Sequence, residues 1–350
     1  MTLFATRFAS DGGTRLDGAV EMIHGSGGRA TTELVRTLFH RHFDNAYLAQ
    51  GNDQAAFDME AARVVMTTDA HVVSPLFFPG GDIGSLAVHG TINDVAMAGA
   101  RPLYLSAAFI LEEGFPLRDL ERIVASTARA SRDAGVPVIT GDTKVVEKGK
   151  GDGVFITTTG VGIVPAGVNI SGDRAKPGDA ILVSGTVGDH GVAVLSKREN
   201  LTFETGIVSD SAALHGLVAE MVAAVPALHC LRDPTRGGLA ATLNEIAQQS
   251  GAGMRLVESA IPVKAGVLAA CELLGLDPLY IANEGKLVAI CEKADAGRLL
   301  DVMRRHPLGH DAALIGEVVA DPHAFISMKT RFGGSRMVDW LAGDPLPRIC

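Results

Sequence analysis

The sequence ends in a group that can do chemistry, the thiol of Cys350. Pro345 and Pro347 precede it, and each proline fixes φ near about −65° and removes a backbone donor, so this segment is predicted to be extended. The residues after Gly334 could stretch over about 50 Å, at about 3.3 Å each. An arm of that length could bring the thiol to a pocket of its own protein and to a second protein. The alternative is a frayed chain end.

Four cysteines are present, and they form no C-x-x-C pair: Cys230, Cys271, Cys291 and Cys350. The spacing therefore favours neither a disulfide framework nor a structural zinc site. The first three lie among apolar residues and are expected to be packed core thiols. An ordinary cysteine has a pKa of about 8.5, and a carboxylate on the same residue hinders thiolate formation. Cys350 is therefore better suited to being modified by another protein than to attacking unaided.

Five aspartates have the placement expected of ligands for a hard cation. They occur at strand ends, in glycine-flanked loops or in an Asn-Asp pair within a helix: Asp69, Asp82, Asp94, Asp142 and Asp233. Carboxylate oxygens placed in this way hold Mg²⁺ against nucleotide phosphates. Each aspartate alone is equally typical of a helix cap or a turn, and the Asn93-Asp94 pair could also be an exposed polar stripe. As a set they predict a magnesium–nucleotide site.

Two glycine-rich turns open predicted helices and could offer bare backbone N–H groups to a phosphate. One contains Gly27 and Gly28, and the other contains Gly237 and Gly238. The sequence has no G-x-x-x-x-G-K-[ST] motif. A nucleotide would therefore be bound by an architecture other than a P-loop.

The composition is typical of a globular enzyme. The 350 residues are 47% hydrophobic, include 41 glycines and carry a formal net charge of −9. A chain of this length can form two domains, each with its own core. It has no basic excess for binding nucleic acid or an anionic membrane, no apolar run long enough to span a bilayer, and no apolar run of a signal peptide at its start. We expect a cytoplasmic protein, since a thiol stays reduced there.

The elements that must position these residues predict an α+β fold, because strands and helices follow one another without strict βαβ order. In the first half the patterns predict strands at 62–69, 102–111, 136–140 and 154–159 and helices at 33–43, 85–98 and 117–134. In the second half they predict strands at 180–185, 255–257, 287–291 and 313–319 and helices at 190–197, 209–224, 238–249, 264–274 and 294–305. Turn chemistry after residue 166 marks a boundary. We divide the chain into an irregular start (1–20), two domains (21–166 and 167–325) and a tail (326–350).

Six short motifs together resemble one protein family. They are Thr-Thr-Asp at 67–69, Gly-Asp-Ile-Gly at 81–84, Asn-Asp-Val at 93–95, Gly-Asp-Thr at 141–143, Asp-Pro-Thr-Arg-Gly-Gly at 233–238 and Pro-Arg-Ile-Cys at 347–350. From about residue 20 to Cys350 the chain resembles the HypE family, the hydrogenase expression/formation proteins that act as carbamoyl dehydratases. The first five motifs mark the wider superfamily of aminoimidazole ribonucleotide (AIR) synthetase and selenophosphate synthetase. The terminal motif is the specific one.

The resemblance implies a two-domain PurM-like (AIR synthase-like) architecture. An N-terminal mixed-sheet domain would be followed by a C-terminal α/β sandwich domain and a flexible C-terminal tail. ATP and Mg²⁺ are the implied cofactors. The residues expected to bind the nucleotide are Gly27, Gly28, Asp69, Asp82, Asp94, Asp142, Thr143, Asp233, Gly237 and Gly238. The residues expected to hold the metal are Asp69, Asp82, Asp94 and Asp233.

The resemblance also implies that Cys350, Lys144 and Glu284 are the catalytic residues. Lys144 and Glu284 would line the pocket that receives Cys350, whereas without the resemblance both default to surface charges. The implied reaction is ATP-dependent dehydration of an S-carbamoyl group on Cys350 to a thiocyanate, which supplies cyanide for the Fe(CN)₂CO centre of NiFe-hydrogenase. Lys144 would orient an oxygen or phosphate, and Glu284 would take a proton. The implied partners are the carbamoyltransferase HypF, the HypC–HypD scaffold complex and a second copy in a homodimer.

Two other functions fit parts of the sequence. A superfamily relative could phosphorylate a free small molecule, as a selenophosphate or purine-type synthetase does. The first would need a reactive cysteine near the N-terminal glycine turn, yet none precedes Cys230, and the second would not need a terminal cysteine. An ATP-sensing adaptor whose tail binds metal is the non-enzymatic alternative, but one thiolate without a nearby histidine is a poor metal site.

Overall fold

The computed structural model describes residues 18–21, 34–45, 63–200, 206–340 and 348–350. The predicted turn with Gly27 and Gly28 lies outside these ranges. The helix predicted at 33–43 is present as a π-helical stretch, Val35–His40, that continues into Arg41–Phe43.

The helices of the described ranges that have ten or more residues are α1 (Ile83–Met97), α2 (Leu117–Ala134), α3 (Asp189–Arg198), α4 (His215–Ala224), α5 (Gly238–Ser250), α6 (Ala265–Leu274) and α7 (Ala296–Arg305). The strands are β1 (Arg63–His71), β2 (Phe77–Phe78), β3 (Gly81–Asp82), β4 (Arg101–Glu112), β5 (Val138–Val146), β6 (Val154–Val164), β7 (Ala180–Val183), β8 (Cys230–Arg232), β9 (Gly253–Val257), β10 (Val288–Cys291), β11 (Ala313–Val319), β12 (Ile326–Lys329) and β13 (Ser335–Met337).

The first sheet has the strand order β1–β6–β4–β5. Strands β4 and β5 are parallel, and the other pairs are antiparallel. Every second residue of β6 is buried, because α1 lies against one face of the sheet and α2 packs beside α1. Phe109 and Ile156 of the sheet share this core with Ile92 and Ile123 of the helices.

The other face of this sheet is exposed in the described part of the chain, and we call it the open face (Val64, Met66, Ile110, Asp142 and Lys144). The register places Lys144 directly opposite Ile110 on the neighbouring strand. Val64, Met66 and Ile110 are 46%, 72% and 40% exposed. Apolar side chains gathered on one sheet face mark a surface that another protein chain can cover.

The second sheet has the order β13–β12–β9–β11–β7–β10–β8, with β9 and β12 parallel. Helices α4 and α7 pack on one face, together with Leu182 and Ala289, and α5 packs on the other face with Ile181 and Val288. Strands β7 and β10 are therefore buried at every residue.

Strands β12 and β13 fall within residues 326–350, which the sequence assigned to the tail. Ile326 and Met328 are 1% exposed and pair with β9, so burial extends the sheet past the boundary that we placed at residue 325. The sequence also predicted a helix from residue 209, but α4 begins at His215. The residues before it form no helix or strand and lie between the two halves, where Ser209 N–H donates to Pro79 O at 2.8 Å.

Helix α1 is buried around most of its circumference, because the first sheet packs on one side and α4 and β8 on the other. The two sheets and their helices confirm the predicted α+β class. In the ranges described, no helix combines the length and the apolar character that crossing a bilayer requires.

Candidate active site at the docked C-terminal residues

The last three residues lie against the end of β1, held by two main-chain hydrogen bonds. Val72 N–H donates to Cys350 O at 3.1 Å, and Ser74 N–H donates to Arg348 O at 3.1 Å. Between them the Ile349 side chain is buried, with 4% exposed, in the core of the first half. Main-chain pairing of this kind gives an extended peptide affinity, while side-chain pockets give it register.

Helix α3 holds the same residues from the second half. Arg198 donates through Nη2 to Arg348 O at 2.8 Å and through Nε to Ser74 O at 2.8 Å. His190, which is fully buried, lies 2.8 Å from Ile349 O through Nε2. The Arg348 side chain forms an ion pair with Asp152. The docked residues therefore bridge the two halves.

The Cys350 thiol lies beside the Glu284 side chain. Burial, the neighbouring Glu284 and Asp69 raise the pKa of Cys350 far above its ordinary value, with Arg236 opposing them. The docked thiol is therefore held in its protonated, unreactive form.

The peptide that carries Glu284 is fixed by side chains from two other elements. Asp210 accepts a hydrogen bond from Glu284 N at 3.1 Å and pairs with Lys286 at 3.2 Å. Asn93 of α1 donates to Glu284 O at 3.2 Å and to Ala212 O at 3.0 Å. Glu284 itself is 4% exposed. Burial and the surrounding aspartates raise the pKa of Glu284 well above its ordinary value.

Three of the predicted aspartates converge near this group. A Cβ added at Gly90 would lie 3.7 Å from Asp69 Oδ2 and 3.9 Å from Glu284 Oε2, so Asp69 and Glu284 approach the same point on α1. Burial and Asp69 raise the pKa of Asp94 to about 6. Burial and Asp94 raise the pKa of Asp233 to about 7. The acids thus oppose one another's ionisation.

A cavity of about 390 Å³ opens beside these acids, with a mixed acidic and basic lining. Asp94 and Asp233 line it together with Arg232 and Arg236. At its edge Gly237 and Gly238 open α5 with φ of 74° and 61°, and a Cβ on Gly238 would lie 2.6 Å from Ile281 O. Only glycine fits at position 238. The N-terminus of α5 thus lies beside the guanidinium groups of Arg232 and Arg236, an arrangement that suits a phosphate.

The acids fit a magnesium ion that arrives with other ligands. Partial burial of mutually repelling carboxylates favours a divalent cation among Asp69, Asp94 and Asp233. Among the described residues, however, no three His, Cys, Asp or Glu side chains already form a metal-binding group. Mg²⁺ commonly binds through one or two carboxylates and completes its shell with phosphate oxygens and water, so the residues present suit a metal–nucleotide complex better than a bare ion.

The structure does not bring the other predicted residues to this cluster. Asp82 caps α1, accepting from Gly84 N at 2.7 Å and Ser85 N at 3.1 Å. It lies about 18 Å from Asp94 along the helix axis, at about 1.5 Å per residue. One ion therefore cannot bind both aspartates, and a nucleotide contact for Asp82 stays a prediction.

Asp142, Thr143 and Lys144 lie on β5, the edge strand farthest from β1. Three steps of about 4.8 Å between strands separate the two edges by about 14 Å. Asp142 and Lys144 are on the open face, and Asp142 and Thr143 both line a cavity of about 150 Å³ beneath residues 39–43. Within one chain, as docked, Lys144 does not meet Cys350, and its role stays a prediction.

Comparison with known proteins decides the family. The family description "AIR synthase related protein, N-terminal domain" matches residues 51–164, and "AIR synthase related protein, C-terminal domain" matches residues 176–329. The chain is 70% identical to carbamoyl dehydratase HypE of Azotobacter vinelandii over 340 residues, which are 96% of this chain and 100% of that protein. The chain belongs to the HypE family. The predicted PurM-like architecture is thereby confirmed.

Two solved structures of HypE proteins are similar to this one. A HypE in complex with ATP has a TM-score of 0.92 and 51% identity, and the match covers 94% of this chain and 99% of that chain. A HypE–HypF complex has a TM-score of 0.78 and 49% identity, with coverage of 88% and 99%.

Several residues of this HypE-type site could not be predicted from the sequence. Asn93 was noted only as half of an Asn-Asp pair, although its buried amide holds Glu284. Arg236 was noted only within its glycine turn. His190 and Asp210 carried no signal, because each acts through partners far away in the sequence. The one available clue was the cost of a polar Asn in an apolar helix.

Proposed function

We propose that this protein is an ATP-dependent carbamoyl dehydratase whose substrate is an S-carbamoyl group on its own Cys350. The observation that carries the proposal is the docked Cys350 thiol, which lies beside Glu284 and the Asp69–Asp94–Asp233 cluster. The relatives named carbamoyl dehydratase support this reaction over phosphorylation of a free small molecule.

The chemistry needs a better leaving group than hydroxide. As hydroxide the carbamoyl oxygen would leave with a conjugate acid of pKa about 15.7, whereas phosphate leaves with one of about 6. The carbamoyl oxygen therefore attacks the γ-phosphate of ATP, ADP departs, and the amide nitrogen loses one proton. Loss of the second N–H proton expels inorganic phosphate and leaves S–C≡N. The net change is one carbamoyl group and ATP converted to one thiocyanate, ADP and phosphate.

We assign Glu284 as the base that removes the N–H protons of the carbamoyl group. Its carboxylate already meets the sulfur that would carry the carbamoyl group. A buried carboxyl with a raised pKa is a stronger base than an ordinary one once it is ionised. Asp210 and Asn93 fix the main chain on either side of it, which limits the positions that its carboxylate can take.

ATP would occupy the cavity beside the acids, with Arg232, Arg236 and the N-terminus of α5 around its phosphates. Asp69, Asp94 and Asp233 would hold Mg²⁺, which when bound neutralises charge on the transferring phosphoryl group. The HypE structure in complex with ATP supports nucleotide binding in this fold.

The protein would act with partners and as a homodimer. The HypE–HypF structure supports HypF as the enzyme that loads Cys350, and HypC–HypD would receive the cyanide. A second copy would cover the open face, which also carries Asp142 and Lys144. We place the reaction in the cytoplasm, where the four free cysteines stay reduced.

Intact-protein mass spectrometry tests this function. After incubation with HypF and carbamoyl phosphate, the mass should rise by one carbamoyl group and, on addition of ATP, fall by one water. Glu284→Gln should be loaded but should not lose water, and Cys350→Ala should not be loaded. Loading and water loss in Cys350→Ala would overturn the proposal.

A further inference from the structure

His190 makes a contact with the docked residues that the reaction itself does not require. It is 0% exposed, and its Nε2 lies 2.8 Å from Ile349 O. Its Nδ1 lies 2.8 Å from Ser209 Oγ. The ring packs edge-on against Phe78, with ring centroids 5.4 Å apart and an interplanar angle of 87°. The imidazole is therefore fixed on three sides.

The two hydrogen bonds settle which ring nitrogen carries the proton. A carbonyl oxygen only accepts, so Nε2–H must donate to Ile349 O. Burial lowers the pKa of His190, so the ring is neutral and Nδ1 accepts from the Ser209 hydroxyl. Ser209 in turn accepts from Ser211 N at 3.1 Å. The Ser209 hydrogen bond at Nδ1 therefore fixes the His190 tautomer in which Nε2–H can donate to the docked residues.

This donor lies one residue away from the reacting sulfur. Main-chain pairing with Val72 and Ser74 fixes the carbonyls of Cys350 and Arg348, but it leaves the intervening Ile349 O facing the other way. Hydrogen bonds on both sides of the docked peptide prevent it from shifting by one residue relative to β1. Such a shift would move the thiol away from Glu284.

We propose that His190 is a positioning residue: its hydrogen bond to the Ile349 carbonyl sets the register in which the Cys350 thiol reaches Glu284. The proposal deepens the proposed function, because it names how the enzyme recognises its own tethered substrate. The recognised group is a peptide with an apolar residue before a terminal cysteine.

The test measures how fast iodoacetamide alkylates Cys350 in the folded full-length protein. The assay contains neither ATP nor a carbamoyl donor, so its outcome does not depend on dehydratase activity. Cys230, Cys271 and Cys291 are buried, and a Cys350→Ala variant supplies the blank. In the wild type, docking should keep alkylation slow.

His190→Leu should raise the alkylation rate about tenfold, because it leaves a buried carbonyl without a donor. His190→Gln, whose amide can still donate near the Nε2 position, should restore most of the protection. The matched control is His89→Leu, since His89 also contacts a serine, Ser211, at 2.9 Å. An unchanged rate in His190→Leu would overturn the proposal, as would an equal rise in His89→Leu or in His190→Gln.

A milder pair of variants covers the case in which His190→Leu does not fold. Ser209→Ala removes the hydroxyl that fixes the tautomer and should raise the rate about two- to tenfold. Ser211→Ala, which loses the corresponding bond to His89, should keep the wild-type rate. Equal rates for Ser209→Ala and wild type would contradict the register role of His190.

Discussion

At the scale of single residues, the acids at the centre of the site are held where each disfavours the ionisation of the others. Asp233 shows the effect most clearly, since partial burial and Asp94 raise its pKa to about 7. Such an arrangement costs folding free energy and persists because the site uses it. The cost should be visible in the free energy of unfolding of the protein without a metal.

We therefore expect Asp233→Asn to be more stable than the wild type at high pH. Below about pH 4 the carboxyl is protonated in both the folded and unfolded states, so it contributes nothing. Between about pH 4 and pH 7 it ionises only in the unfolded state, so wild-type stability falls as pH rises, and the loss is constant above that. The variant should gain about 1–3 kcal/mol at pH 8, after allowance for partial exposure.

Thermal and urea unfolding in the presence of a chelator would measure this difference. Asp301→Asn, an exposed aspartate of α7, is the control and should follow the wild type at every pH. A wild-type protein whose stability rises between pH 4 and pH 7 relative to Asp233→Asn would contradict the assignment.

At the scale of elements, α1 and the residues before α4 together position Glu284. Asn93 of α1 donates to Glu284 O and Ala212 O, and it accepts from Leu214 N at 2.7 Å. Ala212 N–H also reaches Glu284 O, at 3.4 Å. One buried amide thus ties the helix that carries Asp94 to the peptide that carries the base.

Asn93→Ala should lower the free energy of unfolding by about 2–4 kcal/mol, because three buried groups lose their partners. It should slow dehydration of loaded protein more than it slows loading. Asn244→Ala is the matched control, since Asn244 is also buried and bonds Val338 O at 3.1 Å, in the second half. If both variants dehydrate loaded protein equally fast, Asn93 has only a structural role.

These elements also show which features of the fold and site could be predicted from the sequence. Period-2 and period-3.6 patterns predicted the position of α2 and most strands, because burial alternates within each element. The same patterns extended α4 back to residue 209, where Ser209 and Asp210 instead bond groups in distant parts of the chain. The sequence grouped five aspartates; Asp69, Asp94 and Asp233 lie close together, whereas Asp82 and Asp142 do not, because the pattern alone cannot show which strand ends and helix positions meet. The receptor for the last three residues was not predictable, since Val72 follows β1 whereas His190 and Arg198 belong to α3, more than a hundred residues later in the chain.

At the scale of the whole molecule, the open face predicts how copies associate. Met66 is 72% exposed on this face, and Leu273 of α6 is 73% exposed elsewhere. Met66→Glu should dissociate a homodimer, because it places two like charges in an apolar contact. Leu273→Glu should leave it intact. Light scattering after size-exclusion chromatography would show this, and a dimer in both variants would move the interface to another surface.

A homodimer would also give Lys144 a role across the two copies. Lys144 and Cys350 lie apart within one chain, so we expect Lys144 of one copy to serve the site of the other. Mixing Lys144→Ala with Glu284→Gln should then restore about a quarter of the wild-type dehydration rate, since half of randomly formed dimers hold one intact site. A mixture no faster than the separate variants would contradict this arrangement.

The fate of the carbamoyl oxygen tests the central claim most directly. Protein loaded on Cys350 with ¹⁸O-labelled carbamoyl is supplied with unlabelled ATP, and the inorganic phosphate is analysed by mass spectrometry. Phosphorylation of that oxygen predicts one ¹⁸O in each phosphate formed, together with a thiocyanate on Cys350. Unlabelled phosphate accompanying full conversion to thiocyanate would show that the oxygen leaves by another route and would contradict the account.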